Sequence, residues 1–231
     1  MATKDYLEDK VVDIVVDEDA LAVRSDEINV KAFGNQLSET ILMLKNTIRA
    51  NNLASLSAIQ IGRPERVFCI NFNGDIRSFV NPAIIEADGI EISKETCVSI
   101  PGKEFIRLRN STVTVAYQTP LGKMESRKMV GLAARICQHE IDHLDGILLT
   151  DVGLEIDDAF EQATEDERRE VIKAYLDSLD VKLKAVQEEI DKDEDAKKLH
   201  SAIDFMEKVQ KGEVKLENVP VEKKQGEKGE E

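Results

Sequence analysis

His139-Glu140-Ile141-Asp142-His143 constrains this chain more than any other five residues in it. Only three histidines occur in 231 residues, and two of them stand four apart here, with a glutamate directly after the first. On an α-helix, positions i and i+4 lie one above the other, so both imidazoles can reach one ion. The glutamate falls beside that ion, where a carboxylate can take a proton from an activated water. The flanks are apolar: Gly131-Leu132-Ala133-Ala134-Arg135-Ile136-Cys137 runs into the motif, and Leu144, Ile147, Leu148 and Leu149 follow it. Such a helix is expected to be buried, and burying two imidazoles and a carboxylate without partners is costly. A bound metal removes that cost. A solvated polar helix would have no use for those flanks.

A catalytic metal site needs three protein ligands and an open position for water. Two alternatives supply the third. Downstream, Glu161, Glu165 and Glu167 stand where a thermolysin-like zincin keeps its glutamate, although they belong to a generic acidic helix. Upstream, Glu95-Thr96-Cys97-Val98-Ser99-Ile100-Pro101-Gly102 places a cysteine in a short segment expected to end in a Pro-Gly turn. Of the other thiols, Cys69 falls inside an expected strand and reads as core. Cys137, two residues before His139, points away from the ligand face of the helix.

Composition narrows the setting. The net charge of −15 argues against a nucleic-acid-binding surface. No apolar run approaches the roughly 20 residues of a membrane span. Three cysteines at no repeating spacing do not make a disulfide framework, which points to a reducing compartment. Residues 1–9 show neither a signal-peptide core nor the Arg-rich look of a transit peptide, so a cytoplasmic protein is expected, bacterial or from a phage-infected host rather than organellar.

Along the chain, Leu37, Ile41, Leu44 and Ile48 at 4-3-4 spacing predict an amphipathic helix over about 33–49. Residues 66–72 and 75–80, joined by Asn73-Gly74, predict a hairpin. Residues 112–117 alternate as a strand, and Thr119-Pro120-Leu121-Gly122 turns it into another near 123–129. The order predicts an α+β fold, antiparallel sheets around a central metal-binding helix with a C-terminal helical extension. Three regions are expected: a catalytic domain over 1–154, an acidic amphipathic helical extension over 155–212 and a disordered charged tail over 213–231. In the extension, Ile172, Leu176, Leu179, Leu183, Val186 and Ile190 form a 4-3-4-3-4 seam. It can pack back on the protein or pair residues 172–190 with another chain, as a homo-oligomer or with a protein partner. Leu199, Ile203, Met206 and Val209 suggest a shorter second helix.

The motifs resemble those of the peptide deformylases. Gln138-His139-Glu140-Ile141-Asp142-His143-Leu144-Asp145-Gly146 matches that family's third signature throughout, and Glu95-Thr96-Cys97-Val98-Ser99 matches its second, Glu-Gly-Cys-Leu-Ser, except at Thr96. Leu53-Ala54-Ser55-Leu56-Ser57-Ala58-Ile59-Gln60-Ile61-Gly62 stands in place of Gly-Val-Gly-Leu-Ala-Ala-Pro-Gln-Ile-Gly. Phe79-Val80-Asn81-Pro82 and Gly131-Leu132-Ala133-Ala134-Arg135 extend the resemblance to roughly residues 10–155.

The resemblance implies removal of the formyl group from the formyl-methionine N-terminus of nascent proteins. It implies one divalent metal, Fe²⁺ with Zn²⁺ or Ni²⁺ able to replace it, held by Cys97, His139 and His143. Glu140 would act as general base and then general acid, with oxyanion donors from the Gln60 amide and the Val98 backbone N–H. Ser55, Leu56 and Glu95 would lie at the substrate, and Glu95 with Arg109 would hold the loop in place. Leu53, Ser55 and Thr96 replace three family glycines, positions where glycine commonly permits positive φ or a close backbone approach. Two other functions compete with this one: a weakened relative that binds peptides or a protein without turnover, and a zincin-type metalloprotease using a tail glutamate.

Overall fold

The strand Val67–Phe72 places successive residues on opposite faces of its sheet, and both faces are covered. Val67 and Cys69 belong to one apolar cluster, while Phe68 and Ile70 belong to a second. The next strand divides the same way, with Ile76 and Val80 on one side and Phe79 on the other. A sheet buried on both faces reads as a continuous apolar run rather than an alternating one, which is why Val67-Phe68-Cys69-Ile70 contains no polar residue.

The computed structural model describes residues 10–192, with side chains as far as 179. In chain order the elements are α1 (Glu18–Leu21), α2 (Val30–Asn51), β1 (Ser55–Ser57), a 3₁₀ turn (Ala58–Ile61), β2 (Val67–Phe72), β3 (Asp75–Asp88), β4 (Glu91–Cys97) and β5 (Ile100–Arg109). Then follow β6 (Thr112–Gln118), β7 (Met124–Val130), α3 (Leu132–Leu144), α4 (Leu149–Val152), β8 (Leu154–Glu155), α5 (Asp158–Gln162) and α6 (Glu165–Lys192). They form an antiparallel five-stranded sheet, β1-β2-β3-β6-β7, and an antiparallel three-stranded sheet, β4-β5-β8. The fold is α+β, as the element order predicted.

Helix α2 covers one face of the larger sheet with Leu37, Ile41, Leu44 and Ile48, the four positions its periodicity singled out. The helical span begins at Val30 rather than Phe33, because Asn29 caps an extra turn by accepting from the Lys31 N–H and the chain bends at Gly34 (φ 43°, ψ −113°). Helix α3 covers the opposite face with Ala134, Cys137, Ile141 and Leu144 against Phe68, Phe79, Val113 and Val115. Of these, the larger side chains, Ile141, Leu144, Phe68, Phe79, Val113 and Val115, each contribute roughly 1.5–3 kcal/mol when fully buried. The metal-motif helix is therefore fixed by its apolar stripe, and its polar stripe is carried to β1 and the end of β4.

The hairpin β2–β3 closes through Asn73 (φ 52°) and Gly74 (φ 97°), the paired positive dihedrals a two-residue primed turn demands. β3 then runs on to Asp88, well past the predicted end at Val80, because β6 pairs with its second half. The smaller sheet holds a correction. The segment after Cys97 does not end in a turn at Pro101-Gly102. The chain reverses at Val98-Ser99, and Pro101 and Gly102 lie within β5. Pairing steps from Thr96↔Glu104 to Cys97↔Ile100, so Pro101, Gly102 and Lys103 form an unpaired bulge in which proline needs to donate no ladder bond.

The chain divides into two units with the border between Thr164 and Glu165. The expected border after residue 154 falls inside β8, which pairs with Phe105 and Ile106 of β5. In the second unit, α6 carries Ile172, Leu176 and Leu179 of the predicted seam. The expected helix around Leu199–Val209 and the expected disordered tail over 213–231 lie outside the described residues. No helix among the described residues is long and apolar enough to cross a membrane.

Candidate metal centre

Three elements deliver the polar cluster. Helix α3 brings His139, Glu140 and His143, the end of β4 brings Cys97, and the β1–3₁₀ segment brings Ser55, Ser57 and Gln60. The Cys97 thiol and one ring nitrogen from each of His139 and His143 all lie within 4.8 Å of one another. Cys97 Sγ is 3.1 Å from His143 Nε2, and the two imidazoles sit edge to face at 4.9 Å between centroids. The third donor in this cluster is the thiol. Glu161, Glu165 and Glu167 are exposed. Cys69 and Cys137 are buried in the two helix–sheet clusters, where burial pushes each thiol up to about 12 and keeps it inert.

His139 is oriented from behind. Its Nδ1 lies 3.2 Å from Glu95 Oε2, which leaves Nε2 for the cluster. Glu95 is in turn clamped by Arg109, with Nε to Oε1 at 2.8 Å and the second guanidinium nitrogen to Oε2 at 2.9 Å. Ser93 donates to the same carboxylate at 2.7 Å, and the remaining Arg109 nitrogen reaches Asp142 of α3 at 2.5 Å. Burial alone would raise the Glu95 carboxyl, but the bonds from Arg109 and His139 outweigh it and hold the group well below the usual carboxylate range. Arg109 therefore ties the Cys97 strand to the histidine helix through two carboxylates. Asp142 was not singled out from the sequence. Its signal was there, since it stands at i+3 from His139 on the same face of α3.

Burial also acts against the His139 cation, but the Cys97 and Glu95 contacts outweigh it and raise this imidazole to about 10. Burial, with repulsion from His139 and Arg109, drives His143 down to about 3, so its ring is neutral and available as a ligand. Its Nδ1 has no partner. A soft thiol with two imidazoles is a donor set suited to a divalent transition metal, and the buried, closely spaced ring nitrogens and sulfur fit one ion.

Glu140 is 2% exposed. Burial raises its carboxyl, opposed by His139 and by the hydroxyls of Ser55 and Ser57. Ser55 Oγ donates to Glu140 Oε1 at 2.6 Å, while Oε2 has no partner. Gln60 is fixed from both ends. Its Oε1 accepts from the Ser57 N–H and hydroxyl at 2.9 and 3.0 Å, and its Nε2 donates to Ser99 Oγ at 3.1 Å and lies 3.6 Å from Cys97 Sγ.

A cleft of about 460 Å³ opens onto these groups, lined by Leu53, Ser55, Gln60, Thr96, Val98 and Leu132 among others. One expected substrate contact needs correction. Leu56 does not line the cleft; it is fully buried between α2 and the sheet. Glu95 does line the cleft, but both its oxygens are engaged by Arg109, so its place is behind His139. The three residues standing for family glycines, Leu53, Ser55 and Thr96, adopt no positive φ. They impose no backbone strain, and what they change is the side-chain lining of the cleft.

Residues 11–157 match the family model for polypeptide deformylase. The chain is 32% identical over 146 residues to the peptide deformylase of Dictyoglomus thermophilum, covering 63% of this chain and 91% of that protein. Its fold is similar to the crystal structure of the Thermotoga maritima peptide deformylase, with TM-score 0.58 and 30% identity over 62% of this chain and 97% of that one. It is similar also to an Acinetobacter baumannii class I type b peptide deformylase solved with Met-Ala-Ser bound, with TM-score 0.58 and 27% identity over 62% of this chain and 98% of the other.

Proposed function

The chain belongs to the polypeptide deformylase family and is a peptide deformylase enzyme, and on that premise we propose that it hydrolyses the formamide of formyl-methionine at the N-termini of nascent peptides. One observation carries the reading: three ligand atoms of Cys97, His139 and His143 within 4.8 Å of one another, with a buried carboxylate on the same helix. The Met-Ala-Ser bound to the Acinetobacter baumannii relative is the peptide that formyl-Met-Ala-Ser would leave behind, which supports this substrate class.

Cys97, His139 and His143 would hold one divalent ion, Fe²⁺ by the family resemblance, with Zn²⁺ or Ni²⁺ able to take its place. When bound, the ion supplies Lewis acidity, activating water and polarising the formyl carbonyl. Glu140 takes the proton of the attacking water through its unpartnered oxygen. As the new C–O bond forms, the carbonyl oxygen gains charge, and Gln60 Nε2 and the Val98 N–H donate to it. Gln60 suits that task because Ser57 occupies its carbonyl end. When the C–N bond breaks, Glu140 returns the proton to the leaving amine, giving formate and a free N-terminus. Leu53, Val98 and Leu132 give the cleft an apolar wall against which a methionine side chain can pack.

The test is formate release from formyl-Met-Ala-Ser by protein loaded with Fe²⁺ or Ni²⁺ under exclusion of oxygen. Cys97→Ser should lose metal and turnover together, and Glu165→Ala should lose neither. Metal loss from the second variant with retention in the first would replace this function by a protease with a tail ligand.

A further inference from the structure

Ser55 departs from the motif that this chain resembles, and its side chain touches one of the reacting groups. It stands on β1, opposite Ile70, in a position the resemblance gives to glycine. Its backbone needs no glycine. Its side chain reaches across to α3 and donates to Glu140 Oε1 at 2.6 Å, a short bond of the kind a hydroxyl makes to a carboxylate.

The other hydroxyl on this strand, that of Ser57, donates to Gln60 Oε1 at 3.0 Å and also acts on the Glu140 carboxyl, but the short direct bond to Oε1 comes from Ser55. Glu140 Oε2 is buried and has no partner. The carboxylate thus has one tethered oxygen and one free oxygen. Its terminal torsion is intrinsically broad and roughly two-fold, so without a tether the two oxygens would exchange roles. A glycine at residue 55 would have no donor to offer.

We propose that Ser55 is a positioning residue: its hydroxyl pins Glu140 Oε1, so that Oε2 alone is presented to the water and to the leaving amine. The proposal rests on the reading of Glu140 as the group that carries the proton. In this chain a side chain does the aligning that a glycine at this position cannot do. Because the tether acts on the carboxylate and not on the peptide, removing it should reduce turnover and leave substrate affinity nearly unchanged.

The experiment uses the full-length protein loaded with Ni²⁺, as wild type, Ser55→Ala, Ser55→Gly and Ser55→Thr. Metal content, kcat and KM for formyl-Met-Ala-Ser, and the thermal unfolding midpoint are measured for each. Ser55→Ala and Ser55→Gly should keep a full complement of metal and lose about tenfold in kcat, a fraction of what a general base contributes, with KM within about twofold. Ser55→Thr, which keeps the hydroxyl, should recover most of that loss.

A double-mutant cycle with Glu140→Ala reads the tether without turnover. The drop in midpoint caused by Ser55→Ala should largely vanish once Glu140 is absent. Wild-type kcat in both Ser55→Ala and Ser55→Gly, a change confined to KM, or an additive cycle would each overturn the proposal. If the wild type binds metal and releases no formate, the deformylase reading fails separately. The cycle then decides the tether, coupling upholding it and additivity ending it.

Discussion

Replacing Arg109 by methionine should be among the most damaging single changes in this protein, although the residue lies behind the ligands rather than among them. Arg109 and Glu95 are both nearly inaccessible, at 3% and 5% side-chain exposure, and are joined by two parallel bonds of 2.8 and 2.9 Å. Methionine fills much of the same volume but strands the Glu95 carboxylate, which then has only Ser93 and His139. Removing one partner of a buried ion pair costs about 3–5 kcal/mol, far more than the pair itself contributes over an apolar replacement. Asp142, at 22% side-chain exposure, can turn to water and should add little. With about 2–4 °C per kcal/mol for a domain of this size, the expected fall in melting temperature is about 6–20 °C.

Glu95 also orients His139, so metal affinity should weaken by about 10–100-fold. Differential scanning calorimetry and competition with a chromophoric chelator measure the two effects. The double variant Arg109→Met with Glu95→Gln should recover part of the stability, because the stranded charge is gone, but not the metal affinity. An Arg109→Met protein that melts within about 2 °C of wild type would refute the stranded-charge argument.

Glu140→Gln should keep its metal and lose at least about 10²-fold in formate release, because it removes the proton acceptor and no ligand; retention of more than about a tenth of the rate, well above what loss of a general base permits, would refute the mechanism. Acid should destabilise the fold through Glu95. Its folded value is depressed, so its stabilisation is fully present above the unfolded value of 4.5 and is lost as pH falls through the lower folded value; urea titrations at stepped pH should show a steeper acid loss in wild type than in Glu95→Gln. Gly146→Ala should cost at least about 2 kcal/mol, since a left-handed residue (φ 72°) is strained by about 1–2 kcal/mol and a Cβ would meet the Ala22 carbonyl carbon at 2.9 Å. Chemical denaturation measures that cost. A chain ending after Thr164 should retain metal and turnover, because every proposed ligand and donor precedes that point and β8 is left whole; loss of metal from such a chain would give the second unit a part in the site.

The sequence by itself determined a good deal. Spacing of four places His139 and His143 on one face of a helix whatever the rest of the chain does, and the apolar positions around them required that helix to be buried. The α2 stripe and the Asn73-Gly74 hairpin were legible for the same reason, since helix periodicity and turn dihedrals are local properties. Helix α3 also carries its own end in the sequence. Gly146 takes the left-handed conformation, and the N–H groups of Gly146 and Ile147 close on the His143 and Asp142 carbonyls.

Tertiary structure decided what sequence separation hides. Local pattern favoured Cys97 over a tail glutamate as the third ligand but could not bring it to the helix, and the return of β4 to α3 places that thiol, 46 residues away, 3.1 Å from His143. The turn was misplaced at Pro101-Gly102 because both residues punctuate locally, whereas β4–β5 pairing absorbs them in a bulge. Leu56 was placed at the substrate because a motif carries no direction, and the pleat of β1 turns its side chain into the core. The ties of Arg109 to Asp142 and of Ser55 to Glu140 join residues 33 and 85 positions apart, and nothing in the periodicity of either segment announces them. A hydrogen bond requires two groups within about 3 Å, and that proximity is set by packing the helices and sheets together, not by the residues next in the chain.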